Sequence, residues 1–157
     1  MCYVEQRQTS PSRDPRWIAV LGKGLKHKPY CVEAFSGDQL VGFLPLCYVR
    51  SLLFGRFLVS LPYLNTGGVL ADDEEIAIAL IDRAVELADR LKVRHLELRH
   101  EQPVAHPALT QTLTTKVHMR LALPSGSEQL WSNFDPKVRN QIRKGEKAGL
   151  TIHWGSR

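Results

Sequence analysis

The stretch Tyr30-Cys31-Val32-Glu33-Ala34-Phe35-Ser36-Gly37-Asp38-Gln39-Leu40-Val41-Gly42-Phe43-Leu44-Pro45-Leu46-Cys47-Tyr48-Val49 decides the fold. Residues 30–35 and 39–49 are rich in β-branched, aromatic and aliphatic side chains, and Ser36-Gly37-Asp38 between them is a turn signal. Strands joined by so short a turn pair antiparallel. Residues 52–61 form a third apolar, strand-like run. It leads into Pro62-Tyr63-Leu64-Asn65-Thr66-Gly67-Gly68, where two glycines permit positive φ or close approach of a ligand to the backbone.

Helical spacing flanks this sheet. Upstream, residues 15–25 read as a helix that Asp14 caps and Pro15 opens, with Trp17, Val20, Leu21 and Leu25 on one side. Downstream the period changes. From 73 to 91, Ile76, Leu80, Ala84, Leu87 and Leu91 recur at helical spacing, with Asp82, Arg83, Glu86, Asp89 and Arg90 opposite them. Residues 93–99 and 114–123 alternate as strands, 127–134 read as a short helix, and 150–154 begin a further strand. Helices beside a hairpin-built sheet give an α/β (α+β) fold whose mixed, mostly antiparallel central sheet is flanked by helices.

At 157 residues and 43% hydrophobic, the chain supports one ordinary core. No apolar run is long enough to span a membrane, and residues 1–14 form a polar segment without the apolar stretch of a signal peptide. A cytoplasmic protein is expected. Cys2, Cys31 and Cys47 are odd in number and lack CxxC spacing, so they read as reduced, structural thiols.

Charge is uneven along the chain. Residues 135–157 carry six Lys and Arg against Asp135 and Glu146, which is +4 of the total +5. Lys137-Val138-Arg139-Asn140-Gln141-Ile142-Arg143-Lys144 reads as a helix with a cationic side, while Val138 and Ile142, four apart, can face a core. Several cations on one surface attract a pyrophosphate, a nucleic-acid backbone or membrane headgroups, because their Coulomb terms add.

Other chemistries find little support. His95, His100 and His106 lie near Glu97 and Glu101, and His27, His118 and His153 are scattered, but none has HExxH or Cys/His zinc spacing. GxSxG, GxxxxGK[ST] and GxGxxG are absent. The nearest approach to the acetyl-CoA loop of ordinary acetyltransferases, Gln39-Leu40-Val41-Gly42-Phe43-Leu44, sits inside a strand rather than at a helix start. This chain by itself is not expected to bind CoA in the ordinary way.

Pro15-Arg16-Trp17, the hairpin segment 37–46, the stretch 51–63 and the closing Lys137-Val138-Arg139-Asn140-Gln141-Ile142-Arg143-Lys144 together resemble the FemAB/FemX-like family, and most closely the FemAB-related proteins associated with exosortase (PEP-CTERM) systems. The resemblance implies a GNAT-like acyltransferase fold over residues 15–149, with 150–157 beginning the connection to a missing second, C-terminal GNAT-like domain. It implies transfer of an acyl or aminoacyl group, from aminoacyl-tRNA or acyl-CoA, to an amine of a cell-envelope precursor such as a peptidoglycan peptide. It also implies that Tyr63-Leu64-Asn65-Thr66-Gly67, extended by Gly68, lines the substrate cleft, although many members carry Arg where this chain has Thr66. Lys137, Arg139, Ile142 and Lys144 match the family's basic helix, and Arg139, Arg143 and Lys144 are the preferred ligand-facing set. The resemblance identifies no catalytic residue, and neither cofactor nor metal is expected to be bound by the chain itself. The rival reading is a non-catalytic binding module whose basic helix docks on RNA or an anionic surface.

Overall fold

The computed structural model describes Tyr3, Asp14, residues 16–115, Val117 and residues 119–155. Most of the polar 1–14 segment, with Cys2, lies outside the described residues, as do Pro15 and His118. The chain divides into two compact units, Met1–Lys116 and Val117–Arg157.

The first unit is a mixed sheet with a helix on each face. Helix α1 spans Arg16–Leu25. The Asp14 carboxylate accepts the Arg16 backbone N–H at 2.9 Å and also grips the Arg16 guanidinium. Those hydrogen bonds hold the Asp14 carboxyl down at about 2. Strands β1 (Lys28–Ser36) and β2 (Gln39–Ser51) form the expected hairpin, with Gly37 at φ 59° in the two-residue turn. Strand β3 (Gly55–Val59) pairs antiparallel with the far end of β2, and β4 (Leu70–Ala71) pairs with its near end on the same edge. Helix α2 (Glu74–Arg90) then crosses over to β5 (His95–Glu97), which lies parallel to β3.

Burial explains why β2 is apolar without interruption. Leu44 and Leu46 join Leu58 beneath Leu80, Ala84, Leu87 and Ala88 of α2, whereas Cys47 faces Leu21 of α1 on the other side. A strand covered on both faces has no solvent side to make polar. At Gly42 there is no room for a side chain, since a Cβ there would lie 2.5 Å from Ile76 Cγ2 and 2.9 Å from Leu80 Cδ1 of α2. Asp73 caps α2 by accepting the Ile76 N–H at 2.8 Å.

Several boundaries differ from the periodicity. Leu52, Leu53 and Phe54 do not begin the third strand; they form a three-residue turn between Ser51 and Gly55, and Gly55 at φ 92° closes it. In α1 the inward residues are Trp17, Ile18 and Leu21, while Val20 and Leu25 are exposed, because the helix lies on the sheet through a narrow stripe. The strand expected over 93–99 shortens to β5, which pairs only along the short β3.

In the second unit, α3 spans Ser127–Asn133 and α4 spans Pro136–Lys147. The alternation at Val117, Met119, Leu121 and Leu123 does not make a strand: the described residues from 114 to 123 have no ladder partner, and these four side chains are exposed. The strand expected from 150 is likewise unpaired, with Leu150, Ile152 and Trp154 exposed.

Candidate functional site

Strands β3 and β4 occupy one edge of β2 as though they were one strand interrupted. Val59 pairs with Cys47 and Leu70 with Phe43, so eleven positions on this side span four on β2. The surplus is an excursion, residues 60–69, thrown out where the parallel strands β3 and β5 end. Carboxyl ends of parallel strands joined through a helix are a usual place for a ligand.

The base of the excursion is tied to the segment after β5. The Ser60 N–H donates to the Glu97 carbonyl at 2.9 Å, and Ser60 Oγ accepts the Arg99 N–H at 2.8 Å. The N–H groups of Gly67 and Gly68 both donate to the Arg99 carbonyl, at 3.0 and 2.9 Å. Arg99 turns its side chain back to Glu97 Oε1 at 2.7 Å and to the Leu64 carbonyl. A part-buried ion pair thus reads both the strand end and the loop.

In this network the glycines take the ordinary backbone conformation rather than the positive φ the sequence allowed, and their N–H groups are already bonded. A Cβ at Gly67 would stand 2.7 Å from Leu61 Cβ, and one at Gly68 would meet the His100 backbone at 2.8 Å. Here the glycines let chain approach chain.

Tyr63 points outward from the excursion. It is 67% exposed, so it is not a core residue, and Asn65 is exposed beside it. Its phenol meets the His27 ring, with centroids 5.7 Å apart, planes within 14°, and His27 Nε2 2.9 Å from the hydroxyl. The backbone bends unusually to allow this. Leu61 and Tyr63 have φ of 46° and 70°, and Lys26, next to His27, has 58°. Left-handed non-glycine residues cost free energy, and they gather where a side chain must be aimed. His27, Glu97 and Arg99 carry no motif in the sequence; the Lys26-His27-Lys28 run after α1 was the nearest signal.

In the second unit, Asp135 accepts the Lys137 N–H at 2.8 Å and Pro136 opens α4. The helix N-terminus is therefore already supplied with a carboxylate. Cations lie along the helix side instead. Lys137, Asn140, Arg143, Lys144 and Lys147 line one side of the helix, while the half-buried Arg139 stands at its margin, about 40° around the helix from Arg143. At 100° per residue Arg139 sits nearly opposite Lys137. The Arg143 guanidinium stands over the Trp131 ring of α3, 5.5 Å from its centroid, which orders it without neutralising it. Val138 and Ile142 remain 42% and 38% exposed rather than buried.

Among the described residues, no three His, Cys, Asp or Glu side chains converge as a metal site needs. His95 packs against Phe57, and His106 Nε2 lies 3.1 Å from Asp82 Oδ1. No helix is long and apolar enough to cross a membrane.

No family model matches the chain, and no curated protein matches it in sequence. Among solved structures, it is similar to one named "Crystal structure of a probable acetyltransferase", at 15% identity and a TM-score of 0.43, over 79% of this chain and 89% of that one.

Proposed function

We propose that the chain is the N-terminal, GNAT-like part of a FemAB-like acyltransferase of the exosortase-associated branch, moving an acyl or aminoacyl group onto an amine of a cell-envelope precursor. The observation that carries this reading is Tyr63, on a loop thrown out where two parallel strands end, hydrogen-bonded to His27 of the α1–β1 connection. In such a transfer the amine nitrogen attacks the carbonyl carbon of the donor. A C–N bond forms, the C–O or C–S bond breaks, the amine gives up a proton and the leaving oxygen or sulfur takes one. The Tyr63 hydroxyl joined to His27 Nε2 offers a relay for that proton.

The cationic face of α4 suits the phosphates of either donor, aminoacyl-tRNA or acyl-CoA, through Lys137, Arg143, Lys144 and Lys147. Gly67 and Gly68 give no free N–H to the oxyanion, so its donors belong to other parts of the protein, the second GNAT-like domain included. Both donors are cytoplasmic molecules, and a cytoplasmic location accompanies this reading.

The test is to incubate the protein, extended through the second domain, with labelled aminoacyl-tRNA or acyl-CoA and an amine-bearing peptidoglycan precursor. Donor-dependent labelling of the amine, slowed by Tyr63→Phe, is expected. Absence of transfer from either donor would overturn the assignment.

A further inference from the structure

The turn joining β2 to β3 exposes Leu52, Leu53 and Phe54 by 98%, 88% and 66%. Three consecutive large apolar side chains at a hairpin tip belong to no core cluster of the unit. Directly below them Arg50 and Arg56 are cross-strand partners, both exposed. Like charges facing across a ladder destabilise a hairpin. No salt bridge neutralises either arginine among the described residues. On the next strand edge the exposed Arg94 donates its backbone N–H to the Arg56 carbonyl at 2.8 Å, and the exposed Lys92 precedes it by two residues. The nearest carboxylates in sequence are Asp89, three residues before Lys92 in the last turn of α2, and Glu97, three after Arg94, which is paired with Arg99.

We propose that this hairpin tip is a membrane finger: Leu52, Leu53 and Phe54 enter the hydrocarbon edge of an anionic lipid leaflet while Arg50, Arg56 and Arg94 hold headgroup phosphates. The spacing suits that depth. The arginines lie about two residues below the turn, roughly 7 Å of strand, within the ~5–10 Å over which interfacial segments bury their apolar face. Arginine reaches phosphate bidentately, and its stem can follow the apolar surface while the head stays wet. Of the three tip residues only Phe54 offers an aromatic face on which a base could stack, and the two fully exposed leucines offer none, so the tip favours hydrocarbon over RNA. A protein pocket would accept the apolar tip but would leave the opposed arginines unexplained. This inference does not rest on the acyltransferase reading.

The test is flotation of the purified chain with vesicles of phosphatidylcholine alone and of phosphatidylcholine with about one-third phosphatidylglycerol. Wild type should float with the anionic vesicles, less so at high salt. The triple variant Leu52→Ser, Leu53→Ser, Phe54→Ser should lose roughly tenfold or more in partitioning, and Arg50→Gln or Arg56→Gln about fivefold each on anionic vesicles. All substituted side chains are exposed, so far-ultraviolet dichroism should not change and the melting temperature should not fall; relief of the Arg50–Arg56 repulsion can only raise it. The proposal fails if wild type ignores anionic vesicles. It fails equally if the triple variant floats as well as wild type, since the basic helix would then carry the binding. A dimer that the triple variant dissolves, or RNA binding lost in that variant while flotation persists, would assign the tip to a second copy or to RNA and overturn the membrane role.

Discussion

The phenol of Tyr63 and the imidazole of His27 are held to one another twice, by near-parallel stacking and by a 2.9 Å hydrogen bond, across 36 residues of chain. Two different contacts fix two torsions of each ring, so the hydroxyl keeps one direction while remaining open to solvent. A purely structural pair could have been buried. Tyr63 instead stands exposed and His27 half-buried, beside backbone bent into the left-handed region at Lys26, Leu61 and Tyr63.

If this pair moves the amine proton, Tyr63→Phe and His27→Ala should each lower kcat about 100-fold or more, the scale of general acid–base assistance. Stability should change by only about 0.5 kcal/mol, as is usual for exposed side chains. Steady-state kinetics and a thermal melt on the same preparations separate the two effects. A lowered melting temperature with an unchanged kcat would make the pair a loop fastener.

The crossing of α2 over β2 at Gly42 predicts the opposite pattern. Gly42→Val places atoms where Ile76 and Leu80 already pack, so unfolding in urea should show a loss of about 1–3 kcal/mol, the range for overpacking a core. A matching Leu80→Ala change should recover part of it. Full stability in the single variant would mean that α2 can lift from the sheet.

The thiols supply a pH dependence with a definite sign. Burial, then the neighbouring Cys31, pushes the Cys47 thiol up to about 11, and burial followed by Glu33 pushes Cys31 up in the same direction. The folded state therefore holds these protons more tightly than the unfolded chain, whose thiols titrate near 9. Their contribution to stability is complete below that pH and falls as the pH rises from about 9 through 11. Urea midpoints should decline over that window, and a Cys47→Ala variant should decline less. At pH 8, Ellman's reagent should modify the exposed Cys31 ahead of the buried Cys47, with both thiols free. Equal rates would show that β2 opens as readily as its edge.

The hairpin and α2 were legible in the sequence because their signals are local. Gly37-Asp38 fixes a turn by backbone freedom alone, and α2 repeats one apolar stripe beneath an N-capping Asp73. Residues 114–123 alternate just as convincingly, yet alternation says nothing of whether an edge is there to pair with. Leu52, Leu53 and Phe54 misled for a related reason: apolarity was read as strand, whereas Gly55 had already marked the turn. Tyr63 and the basic helix could be singled out in advance. His27 could not, because its meeting with Tyr63 depends on how two loops bend.

The cations of α4 divide by helix geometry, which makes their last test a comparison within one helix. Lys137, Arg143, Lys144 and Lys147 line one side, and the half-buried Arg139 stands at its margin, one turn before Arg143 and nearly opposite Lys137. If a phosphate-bearing donor lies along that face, Arg143→Ala or Lys144→Ala should weaken its binding by about 1–3 kcal/mol, the scale of a charge-assisted hydrogen bond, and flatten the dependence on salt. Arg139→Ala, at the margin of that side, should change affinity less than either, although all three substitutions remove the same unit of charge. That contrast separates a shaped site from a diffuse field, in which every lost cation counts alike. Trp131→Ala should weaken binding through Arg143, whose guanidinium the ring orders. Titrating aminoacyl-tRNA and acyl-CoA against these variants at two salt concentrations decides the matter. Equal losses for Arg139 and Lys144 would reduce α4 to a general cationic surface, and no loss in any variant would return it to a solvated helix.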